Sequence, residues 1–263
     1  MYEPVIVSKN QLADTYKSSY YRNLSLKKYK SLLPLKLSPS LVRIFASLIT
    51  DGFMDIRPQG NTTKYSYIGY FSKYQTELVK FNKSFYNLFQ VKGTIRDWGV
   101  REYGESIGCI INNSVLTRLL HLAGVPGGDK TIQTYSIPSY ILHASPSLKS
   151  LFLKRIFSCE GSINGDDGWR IRYSMSKTQN LSYNTLEFLN QLQKMLGEFE
   201  IKTTGPYLGE TYRRDKDHAL MELYVIQIRR QTSISNFEKY IGFDISYKQQ
   251  KLKRAVSQFS QPL

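Results

Sequence analysis

The feature that most constrains this chain is an internal repeat. Ser38-Pro39-Ser40-Leu41 opens one segment, and Ser145-Pro146-Ser147-Leu148 opens another. In each, serine suits a helix N-cap and proline suits the first helical position. Apolar residues then recur at helical spacing: Leu41, Ile44, Phe45 and Leu48 in the first, Leu148, Phe152, Ile156 and Phe157 in the second. Each helix runs into an acid followed by glycine, Asp51-Gly52 and Glu160-Gly161.

The parallel continues downstream. Lys64–Tyr70 and Trp169–Met175 both read as strands, leading to Ser72-Lys73 and Ser176-Lys177 with Gln75 or Gln179 two residues on. The pattern predicts a helix over 75–90 and its counterpart over 182–199. Two strands follow in each half, over 92–101 and 104–111, then over 203–213 and 220–230. A closing helix ends each half, near 113–123 and 232–240, just before Gly124 and Gly242. Each half therefore reads α-β-β-α-β-β-α. The segments divide as an N-terminal basic extension (1–37), a first repeat with its linker (38–144), a second repeat (145–242) and a basic C-terminal helix (243–263). Residues 1–37 read either as a DNA-contacting arm or as a layer packed on the outside.

An acid in the last turn of a helix lies at the negative end of the macrodipole, which is unfavourable. Glycine after it is expected as a left-handed C-cap. One such acid is an ordinary solvated residue, but the same choice at matching repeat positions asks for a cause. A divalent cation supplies one, because carboxylates and helix-end carbonyls are hard oxygen ligands of the kind Mg²⁺ takes. Two helices packed side by side would bring both acids to one place. Ala46, Ser47 and Thr50 offer a small face for such packing, and Ser158 and Cys159 offer part of one, into which Arg155 intrudes.

The 36 Lys+Arg residues outnumber 21 Asp+Glu, a net charge of +15, which favours a polyanionic partner such as nucleic acid. Only two cysteines are present, Cys109 and Cys159, too far apart for a zinc motif or a disulfide framework. The first residues lack the apolar stretch of a signal peptide and no run is long enough to span a bilayer. These features lead us to expect an intracellular protein, cytoplasmic, nucleoid or organellar, with no membrane partner.

The segments 44–52 (IFASLITDG) and 153–161 (LKRIFSCEG) resemble the two motifs of the single-chain LAGLIDADG homing endonucleases. The linker 122–130 (LAGVPGGDK), with Ile137-Pro138 after it, is similar to that family's linker. The resemblance covers 38–242, with Arg155 where the family prefers a small residue and Ser47 where an apolar one is usual. It implies an α+β fold: two pseudo-symmetric αββαββα repeats forming a DNA-binding saddle of antiparallel sheets. It also implies a monomer that cuts double-stranded DNA with Mg²⁺ or another divalent cation. Asp51 and Glu160 would be metal ligands, the carbonyls of Thr50 and Cys159 would assist, and Lys73 and Lys177 would lie near the active sites.

DNA recognition then falls to the strands, where Arg and Gln suit bidentate readout of guanine and adenine in the major groove. Alternation puts Lys64 and Ser66 on one face, with Arg57 and Gln59 alternating likewise on the preceding strand, and Arg170 and Arg172 on the corresponding face of the other half. Arg96, Arg101, Gln227 and Arg229 are further candidates, as are the hairpin residues Arg213, Arg214 and Lys216. Tyr65, Tyr67 and Trp169 read as sheet or core residues.

Other nuclease and nucleotide-binding motifs fit poorly. Tyr67-Ile68-Gly69 and Tyr240-Ile241-Gly242 are isolated triplets, and Asp129 stands where a P-loop requires glycine. The rival reading is a binding module on the same fold, an intron RNA maturase or a non-catalytic DNA-binding regulator. Two acids facing phosphates have no use in such a module, so their presence favours the nuclease. The ends, Met1-Tyr2 and Gln261-Pro262-Leu263, lack a His-Asn terminus and suggest a free-standing, intron-encoded enzyme rather than a protein-splicing one.

Overall fold

The two opening helices form as the sequence dictates, but they begin differently. In α3 (Pro39–Ile49) the Ser38 hydroxyl accepts from the Leu41 N–H, a true N-cap. In α7 (Pro146–Glu160) the Ser145 hydroxyl makes no cap and pairs with the Ser147 hydroxyl instead. The apolar stripe of α3 is buried as expected at Leu41, Ile44, Phe45 and Leu48. In α7 the stripe holds at Phe152, Ile156 and Phe157, while Leu148 is half-buried.

The computed structural model describes residues 4–101, 104–166 and 168–259, and side chains outside 98–101 and 104–106. It resolves into two units, residues 1–129 and 130–263. Residues 130–144, attached to the first repeat in the sequence reading, pack with the second unit.

In the first unit, α3 leads into β3 (Gly52–Gln59), β4 (Thr62–Ser72), α4 (Gln75–Phe89), β5 (Thr94–Arg101), β6 (Gly104–Asn112) and α5 (Ser114–Leu122). The sheet is antiparallel in the order β3-β4-β6-β5. Its covered face packs on the helices: Tyr70 stacks on Phe81 of α4, and Tyr65 meets His121 of α5. The N-terminal extension forms β1 (Val5–Val7), α1 (Lys9–Asp14), α2 (Ser19–Lys28) and β2 (Leu35–Lys36), with β1 paired to β2. It packs on α5, where Arg118 lies between the rings of Tyr16 and Tyr65 and donates to the Thr15 carbonyl. Lys27, Lys28 and Lys30 remain exposed along it.

The second unit repeats the order. After α6 (Ser139–Leu142) and α7 come β7 (Gly161–Asn164), β8 (Arg170–Thr178), α8 (Ser182–Gly197), β9 (Thr204–Arg213), β10 (Leu220–Ile228), α9 (Gln231–Tyr240) and a last helix, α10 (Ser246–Phe259). Its sheet is again antiparallel, in the matching order β7-β8-β10-β9. The α+β class and the two αββαββα halves read from the sequence are present. Among the described residues, no helix is long and apolar enough to cross a membrane.

Candidate active site

Each acid stands where a helix turns directly into a strand. Glu160 is the last residue of α7 and is exposed, and β7 begins at Gly161. Asp51 follows the C-cap of α3, is half-buried, and its carbonyl accepts from Phe71 N–H at 3.3 Å. Both following glycines pair with a buried tyrosine on the next strand, Gly52 with Tyr70 and Gly161 with Tyr173.

The glycines are required for a reason other than the expected one. Neither has a positive φ, and Gly161 is extended at φ −80° and ψ 154°. The left-handed cap expected from the sequence is therefore absent at both joints. A Cβ at Gly52 would lie 2.5 Å from the Leu48 Cα, and one at Gly161 would lie 2.5 Å from the Phe157 carbonyl oxygen. The strand leaves so close to the preceding helical turn that only hydrogen fits.

Side chains near both acids engage helix-end carbonyls. The Thr50 hydroxyl folds back onto the Ala46 and Ser47 carbonyls. At the second joint the Lys248 ammonium lies 3.5 Å from the Cys159 carbonyl oxygen and donates at 2.6 Å to those of Ser158 and Gly161. Arg155, which intrudes on the small-residue face, is balanced by Asp244 at 3.8 Å.

The two lysines at the strand ends differ. Lys73 is exposed, over the ring of Tyr74. Lys177 is only 1% exposed, so in place of the cation expected to meet a phosphate directly the structure has a buried one. It lies on the covered face with Ile171, Tyr173 and Met175, opposite Arg170 and Arg172. Its ammonium donates to the Gln133 carbonyl and to Asn184 Oδ1, each at 2.6 Å, and sits 3.9 Å from the Tyr135 ring centroid. Tyr135 also feels the second acid: burial and then the negative charge of Glu160 push its phenol up. Lys177, Tyr135 and Glu160 thus form one neighbourhood. Sequence reasoning missed Tyr135 and Asn184, which have no counterpart signal in the repeat.

Burial pushes the Lys177 ammonium down to about 8. The unfolded chain holds that proton to about pH 10.4. Below the folded value both states are charged, so its effect on stability is constant there. Above it the folded state alone is neutral, and stability rises with pH. Relative to Lys177→Met, the native chain should gain about 1.4 kcal/mol per pH unit above about pH 8. Urea unfolding of both proteins from pH 7 to pH 10 checks this, and parallel curves would contradict it.

On the open faces of the sheets, Arg57 lies opposite Lys64 and Gln59 opposite Thr62, all exposed. Arg57 is held by the buried carboxylate of Asp55 at 2.5 Å. Register shifts between Met54 and Ile56, so simple alternation fails along β4 and does not place Ser66 with Lys64. Arg96 is exposed on β5, and the Arg101 side chain lies outside the described residues. In the second unit, Arg170 and Arg172 share the half-exposed face of β8, and Arg172 Nε has no hydrogen-bond partner among the described residues. Gln227, paired in register with Arg172, is buried and accepts from Arg229 Nε at 2.7 Å. Arg213 and Lys216 are exposed at the β9–β10 hairpin. Arg214 departs from the expected free contact: it is bound to Asp217 through Nε and Nη2 and to Thr131 through Nη1.

Residues 147–242 match the family model of the LAGLIDADG-like domain. The chain is 28% identical over 214 residues, 76% of its length, to the tRNA-splicing ligase RtcB of Pyrococcus abyssi, of which the match takes up 23%. It is 26% identical over 227 residues, 82% of its length, to the replication factor C small subunit of Methanocaldococcus jannaschii, of which the match takes up 11%. The chain therefore spans under a quarter of either relative. Among solved structures, the homing endonuclease I-WcaI bound to its DNA recognition sequence is similar at a TM-score of 0.50 and 12% identity, covering 90% of this chain and 97% of that one. Residues 147–242 are thus similar to the LAGLIDADG-like domain, and the chain shares the fold of the homing endonuclease I-WcaI.

Proposed function

We propose that the protein is a site-specific endonuclease that cuts both strands of a long, asymmetric DNA target as a monomer, by metal-dependent hydrolysis. The carrying observation is the acid at the helix-to-strand joint of each unit, Asp51 and Glu160, beside sheets whose open faces bear Arg57, Lys64, Arg170 and Arg172.

Among the described residues no group of three His, Cys, Asp or Glu gathers into a closed metal cage. One accessible carboxylate per unit instead suits Mg²⁺, which keeps several waters and binds through one or two carboxylates and substrate phosphates. Asp51 would hold such an ion in the first unit and Glu160 one in the second. The Thr50 carbonyl would be a second donor in the first unit, whereas Lys248 competes for that of Cys159. When bound, the ion supplies water activation and stabilisation of the leaving oxygen. The open-face arginines, with Lys64, Gln59, Arg96, Arg213 and Lys216, hold the duplex by its phosphates and read base edges. Lys73 neutralises phosphate directly, while Lys177 acts from behind, through Tyr135 and the Glu160 neighbourhood.

The test is to incubate the protein with a randomised duplex library and Mg²⁺ and to sequence the ends. Cutting of both strands at one long, asymmetric sequence by one protein per duplex is expected; binding that leaves no ends would favour a regulator. The same library separates readout from affinity. Arg172→Ala and Arg170→Ala should each relax preference at one or two base pairs, by about 1–3 kcal/mol for a bidentate contact. A uniform loss over all sequences would reduce both arginines to phosphate contacts.

A further inference from the structure

The last helix begins beside the second acid. Lys248, in the first turn of α10, is 6% exposed. Its ammonium donates to the carbonyls of Ser158 and Gly161 at 2.6 Å and lies 3.5 Å from that of Cys159. These peptide groups flank Glu160 on both sides. Just before α10, the Asp244 N–H donates to the Ser158 hydroxyl at 2.7 Å, and its carboxylate faces Arg155 at 3.8 Å. At the other end, Trp169 Nε1 donates to Gln258.

A buried ammonium is costly unless its donors are matched. Here it meets carbonyls where α7 ends and β7 begins, at the negative end of the helix dipole. A lysine that only fastened a tail would need none of these groups in particular. This one grips the peptides before and after the acid, where α7 becomes β7.

We propose that Lys248 is a positioning residue for Glu160. It fixes the helix-to-strand joint and so sets the direction in which the carboxylate leaves it. It also occupies carbonyls that a divalent ion would otherwise draw on. The segment after the second repeat is then part of the cleavage machinery. The proposal rests on the reading of Glu160 as a cleavage acid.

The experiment compares full-length Lys248→Met, Lys248→Arg and Glu160→Gln with the native chain, on a duplex selected from the library. Single-turnover cutting of each strand is followed against Mg²⁺ concentration, with DNA affinity in Ca²⁺ and thermal unfolding measured alongside. Lys248→Met should slow cutting about tenfold to a hundredfold, the order expected when a reacting group is misplaced by up to an ångström. It should show the same strand bias as Glu160→Gln, with Ca²⁺-supported affinity unchanged. Lys248→Arg should recover part of the rate. Native cutting of both strands by Lys248→Met would overturn the proposal, as would a loss explained wholly by weaker DNA binding. If the methionine variant does not fold, Lys248→Arg decides: native single-turnover rates overturn the proposal, and slowing with the Glu160→Gln bias supports it. Native cutting by Glu160→Gln would remove the role of Glu160 itself, a separate failure.

Discussion

Asp51→Asn and Glu160→Gln should each abolish double-strand cleavage while leaving target binding intact. Both changes keep the shape of the side chain and remove its charge. Asp51 and Glu160 sit at helix-to-strand joints, one per unit, and Glu160 is exposed there. The amides are close in size and shape to the acids they replace, so the fold should tolerate them. The amide is a poor ligand for a hard cation, and the chemical step depends on that ion. A loss of about 10²–10³-fold or more is expected, the order seen when one preorganised charge-stabilising group is removed. Binding should hold or tighten, because a negative charge facing phosphates has been removed. Cleavage is followed in Mg²⁺ and binding by gel shift in Ca²⁺. If either variant cuts both strands at the native rate, that residue is not a cleavage acid.

The repeat was legible because its signals are local. Caps, apolar spacing and strand alternation act over a few residues, and they located α3, α4, α7 and α8 and the strands around them. The interactions that depend on distant segments were not legible. Lys177 reads as an exposed strand-end cation until Gln133, Tyr135 and Asn184 close over it. Arg214 reads as a hairpin contact until Asp217 and Thr131 take its donors. The grip of Lys248 on residues 158–161 spans nearly ninety positions, and no periodicity in α10 announces it. The register shift in β3–β4 likewise arises from pairing, which single-strand alternation cannot see. The two acids stand out in the sequence because the repeat marks the same position twice.

The joints themselves give the other large effect. Gly52→Ala and Gly161→Ala should destabilise the protein by about 1–3 kcal/mol or more, the range for forcing an extra methyl into packed structure. At Gly52 the new Cβ would meet the Leu48 Cα at 2.5 Å and the Leu48 carbonyl oxygen at 2.9 Å. At Gly161 it would meet the Phe157 carbonyl oxygen at 2.5 Å and the Phe157 Cα at 3.0 Å. These neighbours are backbone and cannot rotate away, so the strand must move off the helix, carrying the adjacent acid with it. Cleavage should therefore fall even in the fraction that stays folded. Gly197 provides the control, since nothing lies within 4 Å of its Cβ position and its φ is not positive. Gly197→Ala should be neutral or stabilising by about 0.4–1 kcal/mol through the unfolded state. Asparagine separates the steric cause from a left-handed cap, because asparagine tolerates the left-handed region but still carries a Cβ. Gly161→Asn should then be at least as damaging as Gly161→Ala. The check is thermal unfolding of the four variants; melting temperatures that match the native chain at both joints, or rescue by asparagine at Gly161, would show that the close approach of helix and strand does not set the residue there.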